Sequence, residues 1–283
     1  MNRLLATSSA LLFAASAGAS TLAGSDTAGS ALAPALAASG TTTTFKGTFD
    51  ALRDLRSGKA DAALIFIRDG ERIPEVVTGA WEAAPVAYQP VYVAVNSANK
   101  ASEIDLPVLA GLYGKTNDII FDTWRCLPSS GLSQGPLAIA PHPGKGLTVS
   151  HFRSEVLADG EFRPTVRFAS DDADAESRAV AIPNAIVLLS RPPTSGNLKL
   201  LTVADGRPGK STRAYPPTAS SLNSGDYPLR ITLFVIFPKD KKAAAAPAVR
   251  ALLSGEASKL LTAKGLAPTP ENIRNKFTQS LDS

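Results

Sequence analysis

Cysteine and histidine are nearly missing from this 283-residue sequence, and each scarcity removes a class of function. The lone Cys126 cannot form an intrachain disulfide and offers no thiolate metal cluster, so it reads as a small buried hydrophobe in a D-T-W-R-C-L segment. The two histidines, His142 and His151, fall in one loop region. No separated nucleophile, base and orienting acid can be assembled from them, so a hydrolase using Ser150 or Ser154 with either histidine ranks below the binding classes. Charge is sparse at 19% and its balance mild at +4. No run of Lys or Arg is interleaved with aromatics, which excludes a nucleic-acid groove. Aromatics make up only 6% while Gly and Pro each number 21, so the core is expected to use small aliphatic side chains between many turns. There is no internal repeat.

Residues 1–19 read as a cleaved secretory signal. Arg3 supplies a basic start, 4–15 are apolar and small, and Ala17-Gly18-Ala19 fits the A-x-A cleavage pattern. That run is too short for a membrane span, and no other stretch reaches the roughly 20 apolar residues one needs. The reading is of a periplasmic or secreted protein without a lipid anchor, since no cysteine lies near the cleavage site.

The most suggestive stretch is 141–152, P-H-P-G-K-G-L-T-V-S-H-F, where an apolar strand at 137–140 gives way to a helix expected over 148–158. Glycines let backbone N–H groups converge, a helix N-terminus supplies partial positive charge, and Lys145 adds a full one: the composition of an anion cradle. The same residues also suit a plain strand-to-helix turn. Two more hydroxyl-bearing loops precede helices. One is G-S-D-T at 24–27, before a helix over 28–38 expected to be interrupted at Pro34, and the other is K-G-T at 46–48, before a helix over 49–56. Ser25, Asp26 and Thr27 suit a helix N-cap equally well, and the two roles are compatible.

Further strands are expected at 61–67, 86–96, 185–189, 198–203 and 231–237, and further helices at 104–113, 247–263 and 270–281. The acids at 171–176 lack an EF-hand spacing and read as a solvated cluster, not a metal site. Short buried strands alternating with helices indicate an α/β fold with parallel or mixed sheets.

The order of these pieces resembles the PstS-like, phosphate-type periplasmic solute-binding family. The G-S-D-T loop, the G-T loop and L-R-S-G-K-A-D-A-A-L-I-F resemble its first part. G-L-T-V-S-H-F resembles its second-domain anion loop, and Y-P-L-R with the carboxyl-terminal tail resembles its return to the first domain. The resemblance implies a two-lobed α/β fold, each lobe a central mixed sheet flanked by helices, with two crossovers. Lobe 1 would take 20–92 and 190–283, and lobe 2 would take 93–189. It implies a monomer that performs no chemistry, needs no cofactor or metal, and holds phosphate or another small oxyanion for the membrane subunits of an ABC transporter or for sensing.

Carried over by position, the ligand contacts would be Ser25, Asp26, Thr27, Gly47, Thr48, His142, Lys145, Gly146 and Thr148. Three departures stand out. Gly146-Leu147 replace Ser-Gly, His142 replaces the family's Arg, and Phe66 replaces its carboxylate. Lys145 or Arg68 could supply the missing cation. The alternative is a binding-protein scaffold that has lost its small ligand and acts as an interaction module.

Overall fold

The structure, a computed structural model, describes residues 19–115, 121–144 and 146–282, without the side chain of Arg125. The expected signal therefore lies outside the described residues except for Ala19. In chain order the elements are β1 (Thr21–Gly24), α1 (Asp26–Ala38), β2 (Thr42–Phe45), α2 (Thr48–Arg56), β3 (Ala62–Arg68), α3 (Pro74–Val77), β4 (Trp81–Pro90), β5 (Tyr92–Asn96), β6 (Glu103–Asp105) and α4 (Leu106–Tyr113). Then come β7 (Leu137–Pro141), α5 (Leu147–Leu157), β8 (Arg167–Ala169), α6 (Asp172–Ala181), β9 (Ala185–Leu189), β10 (Leu198–Leu200), β11 (Thr202–Ala204) and α7 (Ala219–Ser224). The chain ends with β12 (Arg230–Pro238), α8 (Lys242–Leu252), α9 (Gly255–Ala263), β13 (Ala267–Pro268) and α10 (Glu271–Ser280).

Two mixed sheets organise two lobes. The first runs β13-β4-β12-β3-β1-β2, with β1 parallel to β2 and β3 and with β12 antiparallel to β3 and β4. The second runs β10-β5-β9-β7-β8, with β7 parallel to β8 and β9 and with β5 antiparallel to β9. β3 is buried from Ala62 to Phe66, as a strand covered on both faces must be. Leu32 and Leu36 of α1 pack on one face of the first sheet with α8 and α9, while Ala51 and Leu55 of α2 pack on the other. The second sheet repeats this arrangement, with Val149 and Phe152 of α5 on one face and Ala175 and Ala179 of α6 opposite. Tyr113, fully buried, donates its hydroxyl toward the carbonyls of Ile139 (3.1 Å) and Ile186 (3.0 Å), tying α4 to two adjacent strands.

The expected strand at 86–96 is two strands, because the chain passes from the first sheet to the second at Val91. The return passes beside it: the Val91 N–H donates to the Leu229 carbonyl at 2.9 Å, and the Tyr227 hydroxyl donates to the Val91 carbonyl at 2.6 Å. This moves the expected boundary at 190. β10 pairs with β5 and β11 with β6, so the second lobe continues to about Leu229.

Two helix expectations also change. α1 runs continuously through Pro34, since its buried Leu32 and Leu36 hold the stripe on the sheet. The single helix expected at 247–263 is two, because the Ser254 hydroxyl accepts from Ala257 N–H and caps a fresh start. Among the described residues no helix is long and apolar enough to cross a membrane.

Gly29 of α1 faces the ring of Phe45, and a Cβ there would overlap that ring. Gly→Ala in a helix interior ordinarily gains about 1 kcal/mol. Here Gly29→Ala is expected to cost about 1–2 kcal/mol through overpacking. Urea denaturation reads this, and a gain in stability would mean that Phe45 swings aside freely.

Candidate functional site

The carboxyl ends of β1 and β2 lead directly into α1 and α2, and that of β7 leads into α5. Open α/β sheets place ligands outside such strand ends. The first two turns are locked together, with the N–H groups of Lys46 and Gly47 both donating to the Gly24 carbonyl at 3.1 Å. α2 and α5 share one local design. Each is capped by a glycine in an unusual backbone conformation, Gly47 at φ 106° and ψ 166° and Gly146 at φ 100° and ψ −174°, a region that a side chain would strain.

A glycine cap has no side chain to occupy the first N–H groups, and Ser25 at the head of α1 likewise makes no capping bond. Elsewhere Asp105, Asp171, Thr218 and Ser254 fill that role with their side chains. The open helix ends retain unused donors and their partial positive charge.

A cavity of about 290 Å³ lies between the lobes, with Thr48 and Leu147, the first helical residues of α2 and α5, on its walls. Phe66, Leu147 and Ile231 give it an apolar side. Thr48, Arg68, Glu71, Ser150 and His151 supply the polar groups. Leu147 reaches across from the second lobe to pack against the first lobe's core. At the rim, Arg68 donates to the Ser154 hydroxyl of α5 at 2.7 Å and lies 3.7 Å from Glu71. Leu147, Ser150, His151 and Ser154 recur at i, i+3, i+4 and i+7, so one face of α5 fronts the first lobe.

His151 is 97% buried from solvent, at 3% exposure, and both ring nitrogens lack a hydrogen-bond partner. Burial pushes its pKa down to about 4; the Asp69 charge opposes that, Arg68 adds to it, and the Arg230 backbone opposes it. The imidazole is therefore neutral near pH 7, with one donor and one acceptor.

Of the expected contacts, Thr48 lines the cavity and Gly47 and Gly146 cap its two helices. Ser25 and Thr148 are buried in the adjoining turns, while Asp26 and Thr27 are exposed at the head of α1. His142 is exposed and its Nδ1 accepts from the Gly144 N–H at 3.2 Å, a turn role. Lys145 lies outside the described residues. Arg68, a candidate for the missing cation, does reach the cavity, and so does Phe66. Leu147, Glu71 and Ile231 join them without a sequence signal, except that Leu147 is legible as the residue after a capping glycine.

No serine pairs with a histidine here. Ser150 donates to the Leu147 carbonyl at 2.9 Å and Ser154 accepts from Arg68.

The acids at 171–176 have structural tasks. Asp171 caps α6, Asp172 accepts from Ser190, and Asp174 pairs with Arg178. Among the described residues no cluster of His, Cys, Asp and Glu could hold a metal ion.

A family model described as "PBP superfamily domain" matches residues 13–254. No curated relative matches the chain in sequence. Among solved structures, a possible phosphate binding protein from Planctomyces limnophilus superposes with TM-score 0.73 at 19% identity, covering 94% of this chain and 98% of that one. PstS from Borrelia burgdorferi gives 0.72 at 14%, covering 89% and 98%. An ABC-type phosphate transport receptor from Vibrio cholerae gives 0.66 at 15%, covering 87% and 98%. At these identities the likeness establishes the two-lobed fold.

Proposed function

The chain belongs to the PBP superfamily domain family, and from that premise we propose that it is an exported solute-binding protein holding phosphate or a related oxyanion between its lobes. The observation that carries this reading is the shared cavity. The first helical residues of two uncapped, glycine-headed helices, one from each lobe, line the same space. An anion there would accept from the first-turn N–H groups of both helices and from the Thr48 hydroxyl, with Arg68 as a cation on the cavity wall. Gly47 and Gly146 let the backbone approach, and the α1 turn at Ser25, Asp26 and Thr27 braces the second turn through Gly24.

Ligand joining both lobes would favour the closed arrangement, with Val91 and Leu229 as the crossing points about which they swing. Delivery to the membrane subunits of an ABC transporter accords with the neighbour described as an ABC-type phosphate transport receptor.

Thermal unfolding with millimolar phosphate, sulfate, arsenate and molybdate tests the reading. Ligand at 100 times its dissociation constant adds about 2.7 kcal/mol, so a clear rise in Tm is expected for at least one anion. No rise with any oxyanion would support the ligand-less scaffold instead.

A further inference from the structure

Resting on that reading, we propose that the solute is a monosubstituted oxyanion, a phosphonate or monoester carrying a short apolar group, and not a bare inorganic anion. The cavity is two-sided. Its donors sit at the α2 and α5 ends with Thr48 and Arg68, while Phe66, Leu147 and Ile231 form a wall with no hydrogen-bonding side-chain atom. A tetrahedral anion with oxygens on every side would turn some of them onto that wall and leave them unpaired. A substituted one would turn its carbon group there.

Volume points the same way. About 290 Å³ is the space of about ten waters at roughly 30 Å³ each, more than a bare oxyanion fills.

His151 lines the same cavity, and its two ring nitrogens are buried without a hydrogen-bond partner of good geometry.

Titration calorimetry of the full mature chain with inorganic phosphate, methylphosphonate and phenylphosphonate decides this. Phenylphosphonate is expected to bind about 10- to 200-fold more tightly than phosphate, the range an apolar group gains in a fitted pocket. Phe66→Ala should erase most of that preference. Because Phe66 also belongs to the first lobe's core, Leu147→Ser serves as a second variant at a half-buried position. Phosphate binding as tightly as phenylphosphonate would overturn this inference and leave the oxyanion reading standing. Absence of binding by all three would overturn this inference, and the oxyanion reading would then fall only if sulfate, arsenate and molybdate also leave the Tm unchanged.

Discussion

Lowering the pH from 6.5 to about 4 is expected to remove about 3 kcal/mol of folding stability through His151 alone, and His151→Leu is expected to abolish that loss. The imidazole is held at about 4 in the folded chain, chiefly by burial, against its ordinary 6.5. Between those values the unfolded chain takes up a proton that the folded chain refuses. Stability is therefore complete above 6.5, falls as the pH drops through the window, and loses nothing further from this group below about 4.

The charged groups facing the ring are Asp69 and Arg68 at the end of β3, Glu71 beyond them, and the start of β12 at Arg230. No hydrogen bond of good geometry reaches either ring nitrogen, although the Arg230 backbone lies near enough to favour the charged form. Leucine also removes two buried polar atoms without partners, so the variant should be about 1–3 kcal/mol more stable even at pH 7.5. Urea denaturation of both proteins from pH 4.5 to 7.5 reads the two effects separately. Parallel pH profiles would show that the folded protein accommodates the imidazolium. Carboxylates whose pKa is lowered, such as Asp61 and Asp205, act in a separate window, losing their contribution only as the pH falls below the ordinary carboxylate range.

The order of strand, turn and helix was legible because small residues punctuate it. The G-S-D-T, K-G-T and G-K-G-L-T turns all stand where a strand passes into a helix, and 19–115 holds the expected alternation. What escaped were decisions that no local pattern encodes. β10 and β11 are three residues each, and whether they join the first or second lobe depends on partners about 100 residues earlier, at β5 and β6. The split between α8 and α9 was readable in principle from Ser254-Gly255, but the alanine and leucine stripe on both sides runs on in phase and masks it.

The site divided in the same manner. Thr48 and the two capping glycines follow from the turn chemistry. The apolar wall needed the fold, because Phe66 ends a buried strand, Ile231 begins another, and only the crossing at Val91 and Leu229 sets them opposite Leu147.

Glu176→Ala is expected to cost about 2–4 kcal/mol and to free the segment that leaves β9. Glu176 is a buried acid in the run at 171–176 whose composition suggests a solvated surface, and its location on α6 explains the difference. Its Oε1 accepts from the Thr194 N–H at 2.6 Å, the Thr194 hydroxyl at 2.9 Å and the Ser195 N–H at 2.7 Å, while its Oε2 lies 2.9 Å from Arg191. Burial raises its pKa, but the Ser195 and Thr194 donors and the Arg191 charge outweigh that and hold it below the ordinary range. The stabilisation is therefore present above that range and disappears as acid protonates the group.

Thr194 is exposed, so its freed N–H regains water, which keeps the cost below that of an orphaned interior donor. Glu176→Gln keeps one carbonyl acceptor and should lose about half as much. Hydrogen exchange at the Thr194 and Ser195 amides gives the local readout, with fast exchange expected in Glu176→Ala and intermediate exchange in Glu176→Gln. Unchanged protection there would mean that Asp172, through Ser190, holds the segment by itself.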